Sequence, residues 1–184
     1  RVSPSFPDPL PQLVSLARVT QIDSAYDNTC AVANGIGYCW GARVTPFKGT
    51  VIDRALPEPA AAPEPLVQIA TTRSEGYLLS DDTKIRDFKP YRWCAVGDSG
   101  SVYCWGFNES GQAGTGAEEY VTRAAMVVGL PEKALVAQVK TTVNTTCALL
   151  TNGKVYCWGS NYSGQLGNGL NRGKSLAPTE VVLP

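Results

Sequence analysis

The sequence predicts an all-β protein built from three consecutive repeats. A short unit that begins with a cysteine and ends in Cys-Trp-Gly occurs three times, at residues 30–41, 94–106 and 147–159. In each unit, two short apolar runs flank a turn that contains glycine, which is typical of a β-hairpin. The chain also has 18 glycines, 13 prolines and one methionine, and this composition favours short strands and turns over long helices.

The cysteine spacing predicts a disulfide across each hairpin. If Cys147 faces Cys157, a three-residue loop remains whose third residue is Gly153, and such loops place their third residue in the left-handed region. The second unit has the same spacing, and the first is one residue shorter and leaves Asn34-Gly35, a preferred two-residue turn. The predicted bridges are Cys30–Cys39, Cys94–Cys104 and Cys147–Cys157. Six buried free thiols are the alternative, and zinc is disfavoured because the chain has no histidine and no Cys-x-x-Cys spacing.

Length and charge restrict the class of protein. The chain has 184 residues, enough for one domain with a real core. Its 16 basic and 16 acidic residues cancel, which argues against nucleic acid as the main partner, and no apolar run approaches the roughly 20 residues of a membrane span. The chain begins at Arg1 without an initiator methionine or a signal peptide, so we expect a mature product, and the paired cysteines indicate an oxidising compartment.

The expected elements follow one another along the chain as one repeat domain. A predicted strand at 13–22 opens the first repeat, and the proline-rich segment 57–65 is expected to run over the surface as a polyproline-like connection. A flexible linker between two domains is the alternative reading of that segment. The expected boundaries are a proline-rich extension at 1–11 and blades at 12–65, 66–130 and 131–184.

The second repeat carries an insertion. Ile22, Ile69 and Val139 align, but the next cysteine follows after eight, 25 and eight residues respectively. The additional 17 residues, at about 74–90, are expected to form a small hairpin, and long loops on rigid repeats commonly carry binding residues. The alternative is that the insertion packs over an exposed edge or patch of the repeat domain. The candidate partner-binding residues are Tyr77, Leu78, Leu79, Asp81, Asp82, Lys84, Arg86 and Phe88.

Two similar segments follow the second and third hairpins and carry a family resemblance. They read Trp-Gly-Phe-Asn-Glu-Ser-Gly-Gln-Ala-Gly at 105–114 and Trp-Gly-Ser-Asn-Tyr-Ser-Gly-Gln-Leu-Gly at 158–167. These words resemble the repeats of the regulator of chromosome condensation (RCC1) family, in particular a disulfide-bearing secreted branch. The resemblance implies β-propeller blades of four antiparallel strands, with Trp40, Trp105 and Trp158 packed between sheets.

The chain departs from that family in two respects. It lacks a histidine that the family often has before the first hairpin strand, and it has three repeats where the family usually closes a ring of seven blades. We therefore expect a partial, open propeller or arc, with exposed edges near 13–22 and 178–183. The remaining blades could come from the same or another chain, or a terminal strand could complete a blade of another copy.

The expected function is a secreted or surface-exposed, non-enzymatic protein-interaction scaffold, as a subunit or fragment of a larger extracellular assembly. Its expected partner is another protein or further copies of itself, without nucleic acid, membrane insertion or a cofactor. The alternatives are a secreted propeller-type enzyme inhibitor and a guanine-nucleotide exchange factor for a small GTPase. With no histidine and no free cysteine expected, the usual Ser/His and Cys/His nucleophile systems are absent. The neighbouring carboxylates at Asp81-Asp82 and Glu118-Glu119 are expected to be solvated.

Three Asn-x-Ser/Thr sequences are candidate N-glycosylation sites, at Asn108, Asn144 and Asn161. Two of them, Asn108 and Asn161, occupy the asparagine position of the family that the repeat resembles, so these two sequons can be coincidental.

Overall fold

The computed structural model describes residues 13–44, 51–73, 75–78, 85–89 and 91–183. Within these ranges the protein consists of strands, turns and loops, without a helix. No segment of the described chain is therefore a helix that could cross a membrane.

The first sheet, blade 1, is an antiparallel meander of four strands in chain order. Two predictions from the sequence, the start of the first strand and the absence of strand in the proline-rich segment, were wrong. The first strand begins at Val19 rather than at residue 13, and the proline-rich segment is partly strand, since the fourth strand runs to Ala60. Prolines are tolerated there because this strand lies at a sheet edge. The strands are β1 (Val19–Ala25), β2 (Asn28–Ala33), β3 (Ile36–Val44) and β4 (Val51–Ala60).

The second and third sheets, blades 2 and 3, have the same antiparallel order of four strands. Blade 2 contains β5 (Leu66–Thr71), then the separate hairpin of β6 (Glu75–Leu78) and β7 (Ile85–Lys89), then β8 (Arg92–Gly97), β9 (Val102–Gly106) and β10 (Val121–Met126). Blade 3 contains β11 (Val136–Thr141), β12 (Thr145–Leu150), β13 (Val155–Ser160) and β14 (Lys174–Glu180). Each blade already has four strands of its own, so the structure gives no support to completion of a blade by another copy's terminal strand.

The first strands of the three blades are equivalent in register and contact one another in order, β1 with β5 and β5 with β11. Ile22, Ile69 and Val139 each pair with the alanine that follows the first cysteine of their repeat. A break in register precedes each of these aliphatic residues by one or two positions. Such a bulge changes the direction in which nearby side chains point.

The apolar core lies between the blades. Junction 1–2 buries residues of blades 1 and 2, including Val32, Leu66 and Ile69. Junction 2–3 buries a larger set from blades 2 and 3, including Val102 and Trp158. Each blade therefore depends on its neighbour to cover its apolar face.

All three disulfides are present within their hairpins, in the predicted pairing. The paired cysteines lie directly opposite each other in the strand register. The bridges are Cys30–Cys39, Cys94–Cys104 and Cys147–Cys157. They tie β2 to β3, β8 to β9 and β12 to β13.

Candidate protein-interaction surfaces

A glutamine on the first strand of blade 1 and of blade 2 binds the backbone of the next blade. The Nε2 of Gln21 donates to the carbonyl oxygen of Ile69 at 3.0 Å, and the Ile69 N–H donates to the Oε1 of Gln21 at 2.9 Å. Gln68 makes the same pair of bonds with Val139, at 2.9 and 2.7 Å. Sequence reasoning missed this contact, although glutamine precedes the aligned aliphatic residue in all three repeats.

Arg92, on β8, joins blade 2 to blade 3. It is fully buried, and the acceptors of its guanidinium among the described residues are neutral oxygens. Burial lowers the pKa of Arg92 to about 9, which still leaves the side chain charged at neutral pH. The acceptors are the carbonyl oxygens of Gln112, Thr142 and Thr145 and the hydroxyls of Thr141 and Thr146. At junction 1–2 the equivalent residue, Asn28, makes one bond of 2.8 Å to the hydroxyl of Thr71.

A groove with a volume of about 670 Å³ opens between the outer strands of blades 1 and 2. Trp93 and Trp105 line it, with ring centroids 6.1 Å apart and planes inclined by 25°. Residues 58–63 form one wall, and Tyr120, Thr122, Arg123 and Ala124 form the other. We refer to this feature as the aromatic groove.

The aromatic groove lies at a place where the sequences of blades 1 and 2 differ, in the segment that follows the Cys-Trp-Gly unit. Trp158, the counterpart of Trp105, is fully buried at junction 2–3. The glycine-rich segment of blade 2 lies on it so closely that a Cβ at Gly114 would be 2.7 Å from its Nε1. Blade 1 lacks the Gly-Gln-x-Gly word after Gly41, and Trp105 is only half-buried. The expected packing between sheets is therefore complete for Trp158 and partial for Trp105.

The insertion in blade 2 forms the expected small hairpin. Tyr77 pairs with Arg86 and Leu78 with Ile85 across β6 and β7, and Phe88 lies in β7. Of the other candidate residues, Leu79, Asp81, Asp82 and Lys84 lie outside the described part of the chain. A binding role for this hairpin stays a prediction.

Two of the three candidate glycosylation sites have a structural role in their turns. The buried Nδ2 of Asn108 donates to the carbonyl oxygens of Ala117 and Glu119, at 2.9 and 3.2 Å. The buried Asn161 donates in the same way to Leu170, at 3.0 Å. A glycan on either nitrogen would displace these bonds, so the fold opposes modification there. Glycosylation of Asn144 stays a prediction.

The described residues contain no group of three or more His, Cys, Asp or Glu side chains placed to hold a metal ion. One carboxylate of the Glu118-Glu119 pair has a surface role, because the Nζ of Lys174 donates to Glu118 at 2.6 Å. The Asp81-Asp82 pair lies outside the described residues.

Comparison with known proteins shows what the third repeat is similar to. Models of the regulator of chromosome condensation (RCC1) repeat match residues 136–165 and 152–184. Human HERC2, an E3 ubiquitin-protein ligase, is 37% identical over 75 residues, which are 41% of this chain and 2% of that protein. The RCC2 homolog of Danio rerio is 37% identical over 82 residues, which are 45% of this chain and 16% of that protein.

Two solved structures have the same fold. Prp20p from Saccharomyces cerevisiae aligns with a TM-score of 0.53 and 15% identity, over 89% of this chain and 51% of that chain. Yeast RCC1 (Prp20) in its complex with Kap60 aligns with a TM-score of 0.51 and 16% identity, over 89% of this chain and 49% of that chain. The chain thus spans about half the length of these propellers and a smaller share of the two relatives. Residues 136–184 of the chain are thus similar to RCC1 repeats, and its three four-stranded sheets have the fold of β-propeller blades in an open array.

Proposed function

We propose that this chain is a secreted or surface-exposed, non-enzymatic scaffold that binds a protein partner in the aromatic groove. The observation that carries the proposal is Trp105, whose ring stays partly accessible beside Trp93 while its counterpart in blade 3 is fully buried. The fold is one that serves protein binding elsewhere. Prp20p was characterised for its binding to Gsp1p and histones, and yeast RCC1 (Prp20) was solved with Kap60 bound.

The lining of the aromatic groove favours an extended, proline-containing segment of the partner. Tryptophan surfaces next to a wall of prolines and alanines offer apolar contact, and aromatic-lined grooves bind polyproline-type segments in several protein modules. Such segments lose little conformational entropy on binding because they are already extended. Arg123, exposed on the opposite wall, adds a cation for an acidic residue or a backbone carbonyl of the segment.

The three disulfides support an extracellular location, since such bridges persist in oxidising compartments. The test is to alkylate free thiols while the protein is isolated from its source and then to map the peptides. We expect all six cysteines to be protected from alkylation. Free thiols at most of the six positions would rule out the proposed location.

Binding is tested by selecting extended proline-containing peptides from a display library on the intact chain and measuring their affinity by fluorescence of the groove tryptophans. We expect Trp105→Ala to reduce affinity at least about tenfold, the loss of roughly 1.4 kcal/mol. Trp40→Ala is the matched control, because Trp40 holds the same repeat position but does not line the groove. Equal binding by wild type and Trp105→Ala would refute the groove as the site, provided that thermal melts show both to be folded.

A further inference from the structure

The two internal junctions share a second contact, at the tip of each hairpin. The N–H of Leu66 donates to the carbonyl oxygen of Gly35 at 2.7 Å, and the N–H of Val136 donates to that of Gly100 at 3.1 Å. In each case the first residue of the next blade binds the turn glycine of the preceding hairpin. A junction is therefore defined by this bond, by the glutamine pair and by the apolar contact between blade faces.

The outer face of blade 3 presents one half of such a junction. The side chain of Gln138 is exposed and makes no hydrogen bond to any described residue, unlike the side chains of its counterparts Gln21 and Gln68. A Cβ on Gly153 would have nothing within 4 Å. By contrast, the equivalent glycine of blade 2, Gly100, is covered by the residue that precedes β11.

A hollow of about 530 Å³ lies beside Gly153 on this face. Its lining includes the ion pair of Lys154 and Glu180 and apolar side chains, two of which have buried counterparts in blade 2. Val155 and Val181 are part-exposed, whereas the equivalent Val102 and Val127 are buried against blade 3. The hollow thus occupies the place that a following blade would fill.

The outer face of blade 1 presents the other half. Val19 and Ile22 are 45% and 64% exposed, yet the residues at their register positions in blades 2 and 3 are buried. Ile22 is equivalent to Ile69 and Val139, whose N–H and C=O bind the glutamine of the preceding blade. The carbonyl oxygen of Ile22 accepts one bond of 3.0 Å from Gln21, and a carbonyl can accept a second.

We propose that blade 3 of one copy of this chain docks head-to-tail on blade 1 of a second copy. Gln138 then binds the backbone of Ile22 in the second copy, and the N–H of Val19 binds the carbonyl oxygen of Gly153. The occupant is a second copy because the chain itself carries both complementary halves. This surface is separate from the aromatic groove, and its test is independent of partner binding there.

The test is the mass of the 184-residue chain in solution, measured by light scattering and sedimentation over a rising concentration series. We expect the 19.6 kDa chain to form species of twice that mass or of higher multiples, since a head-to-tail contact either closes or continues to grow. Gln138→Glu replaces the side-chain donor to Ile22 with an unpaired charge, and Ile22→Asp places an unpaired charge in the apolar contact on the other half. Both variants should remain monomeric at concentrations where wild type associates, with melting temperatures close to wild type because both positions are exposed.

Ile36→Asp is the matched control for Ile22→Asp, because Ile36 is also an exposed isoleucine of blade 1 but lies at the hairpin turn, away from the open face. It should associate as wild type does. Mixing Gln138→Glu with Ile22→Asp should restore a pair of twice the chain mass, since one intact junction remains between the two variants. A wild-type monomer throughout the series overturns the proposal. So does loss of association in Gln138→Glu but not in Ile22→Asp, which would mean that blade 3 contacts itself.

Discussion

The glycine that ends each Cys-Trp-Gly unit is required by backbone geometry. At these positions φ lies near +105°, a region that residues with a Cβ rarely adopt. A Cβ would also approach a carbonyl oxygen of the strand's neighbour to within 2.1–2.4 Å. The three glycines and their facing carbonyls are Gly41 with Asp27, Gly106 with Tyr91 and Gly159 with Asn144.

Two glycines of blade 3 allow the effect of a positive φ to be separated from that of the clash with a carbonyl oxygen. Gly159→Ala should lower the free energy of unfolding by about 3 kcal/mol, because backbone strain and a clash with the carbonyl oxygen of Asn144 add. Gly153→Ala should cost only about 1 kcal/mol, since its φ is also positive but no atom lies within 4 Å of the added Cβ. Urea unfolding of both variants measures the difference. Equal losses would show that the clash contributes nothing.

At the level of the element, the hairpin is the part of this protein that sequence predicts best. Turn residues and cysteine spacing are local, and both indicate the same register, so the three disulfides follow from a short stretch each. The strand bounds at 13–22 and 57–65 were less predictable, because whether a proline-containing segment joins a sheet depends on a free edge elsewhere in the chain.

Side chains that join two blades are harder to predict than the hairpins. Arg92 has Asn28 and Thr145 as counterparts, so no repeated word marks it as a contact. The glutamine of the first strand does occur in every repeat, at Gln21, Gln68 and Gln138. Only the structure, with its bulged first strands, shows that Gln21 and Gln68 bind the next blade. The aromatic groove lies where blade 1 has no Gly-Gln-x-Gly word after its Cys-Trp-Gly unit, and the sequence shows this difference without showing what it leaves accessible.

The three disulfides differ in how far a reductant can reach them. Cys30, Cys94 and Cys104 are fully buried, whereas Cys147 is part-exposed at the open blade 3. We expect limited treatment with a phosphine reductant to open Cys147–Cys157 first, because attack requires access to a sulfur atom. Alkylation followed by peptide mapping gives the order. Earlier opening of Cys94–Cys104 would contradict this expectation.

At the scale of the whole molecule, stability depends on contacts between neighbouring blades, as in other repeat proteins. Junction 2–3 has the larger buried cluster, the buried Arg92 and a covering segment over Trp158. Junction 1–2 has the aromatic groove at the equivalent place, where Trp105 is half-buried. The two junctions therefore differ in composition, and we expect blade 1 to be the more weakly held neighbour of blade 2.

Removing the glutamine of an internal junction should destabilise the fold, while removing its exposed counterpart should not. Gln68→Ala leaves the buried N–H and C=O of Val139 without their partner, at an expected cost of about 2–3 kcal/mol in the free energy of unfolding. Gln138→Ala, measured at a concentration where the chain is monomeric, should change it by less than about 0.5 kcal/mol. Denaturant unfolding monitored by circular dichroism compares the two. Similar losses of unfolding free energy in the two variants would mean that each glutamine stabilises its own blade rather than the junction with the next one.

The unequal junctions also predict the order in which the amides open. Ile69 and Val139 are both fully buried and each donates its N–H to a glutamine of the preceding blade, so their exchange rates compare the two junctions directly. The accepting Gln21 is half-buried, whereas Gln68 is buried and lies at the junction that Arg92 also joins. We expect the Ile69 amide to exchange at least about tenfold faster than that of Val139, a difference of roughly 1.4 kcal/mol in opening free energy. Hydrogen exchange followed by NMR measures both amides in one sample, and Gln68→Ala should remove the difference by exposing Val139. Equal rates in the wild-type chain would instead show that the three blades open together, because the shared strand β5 transmits the loss of one junction to the other.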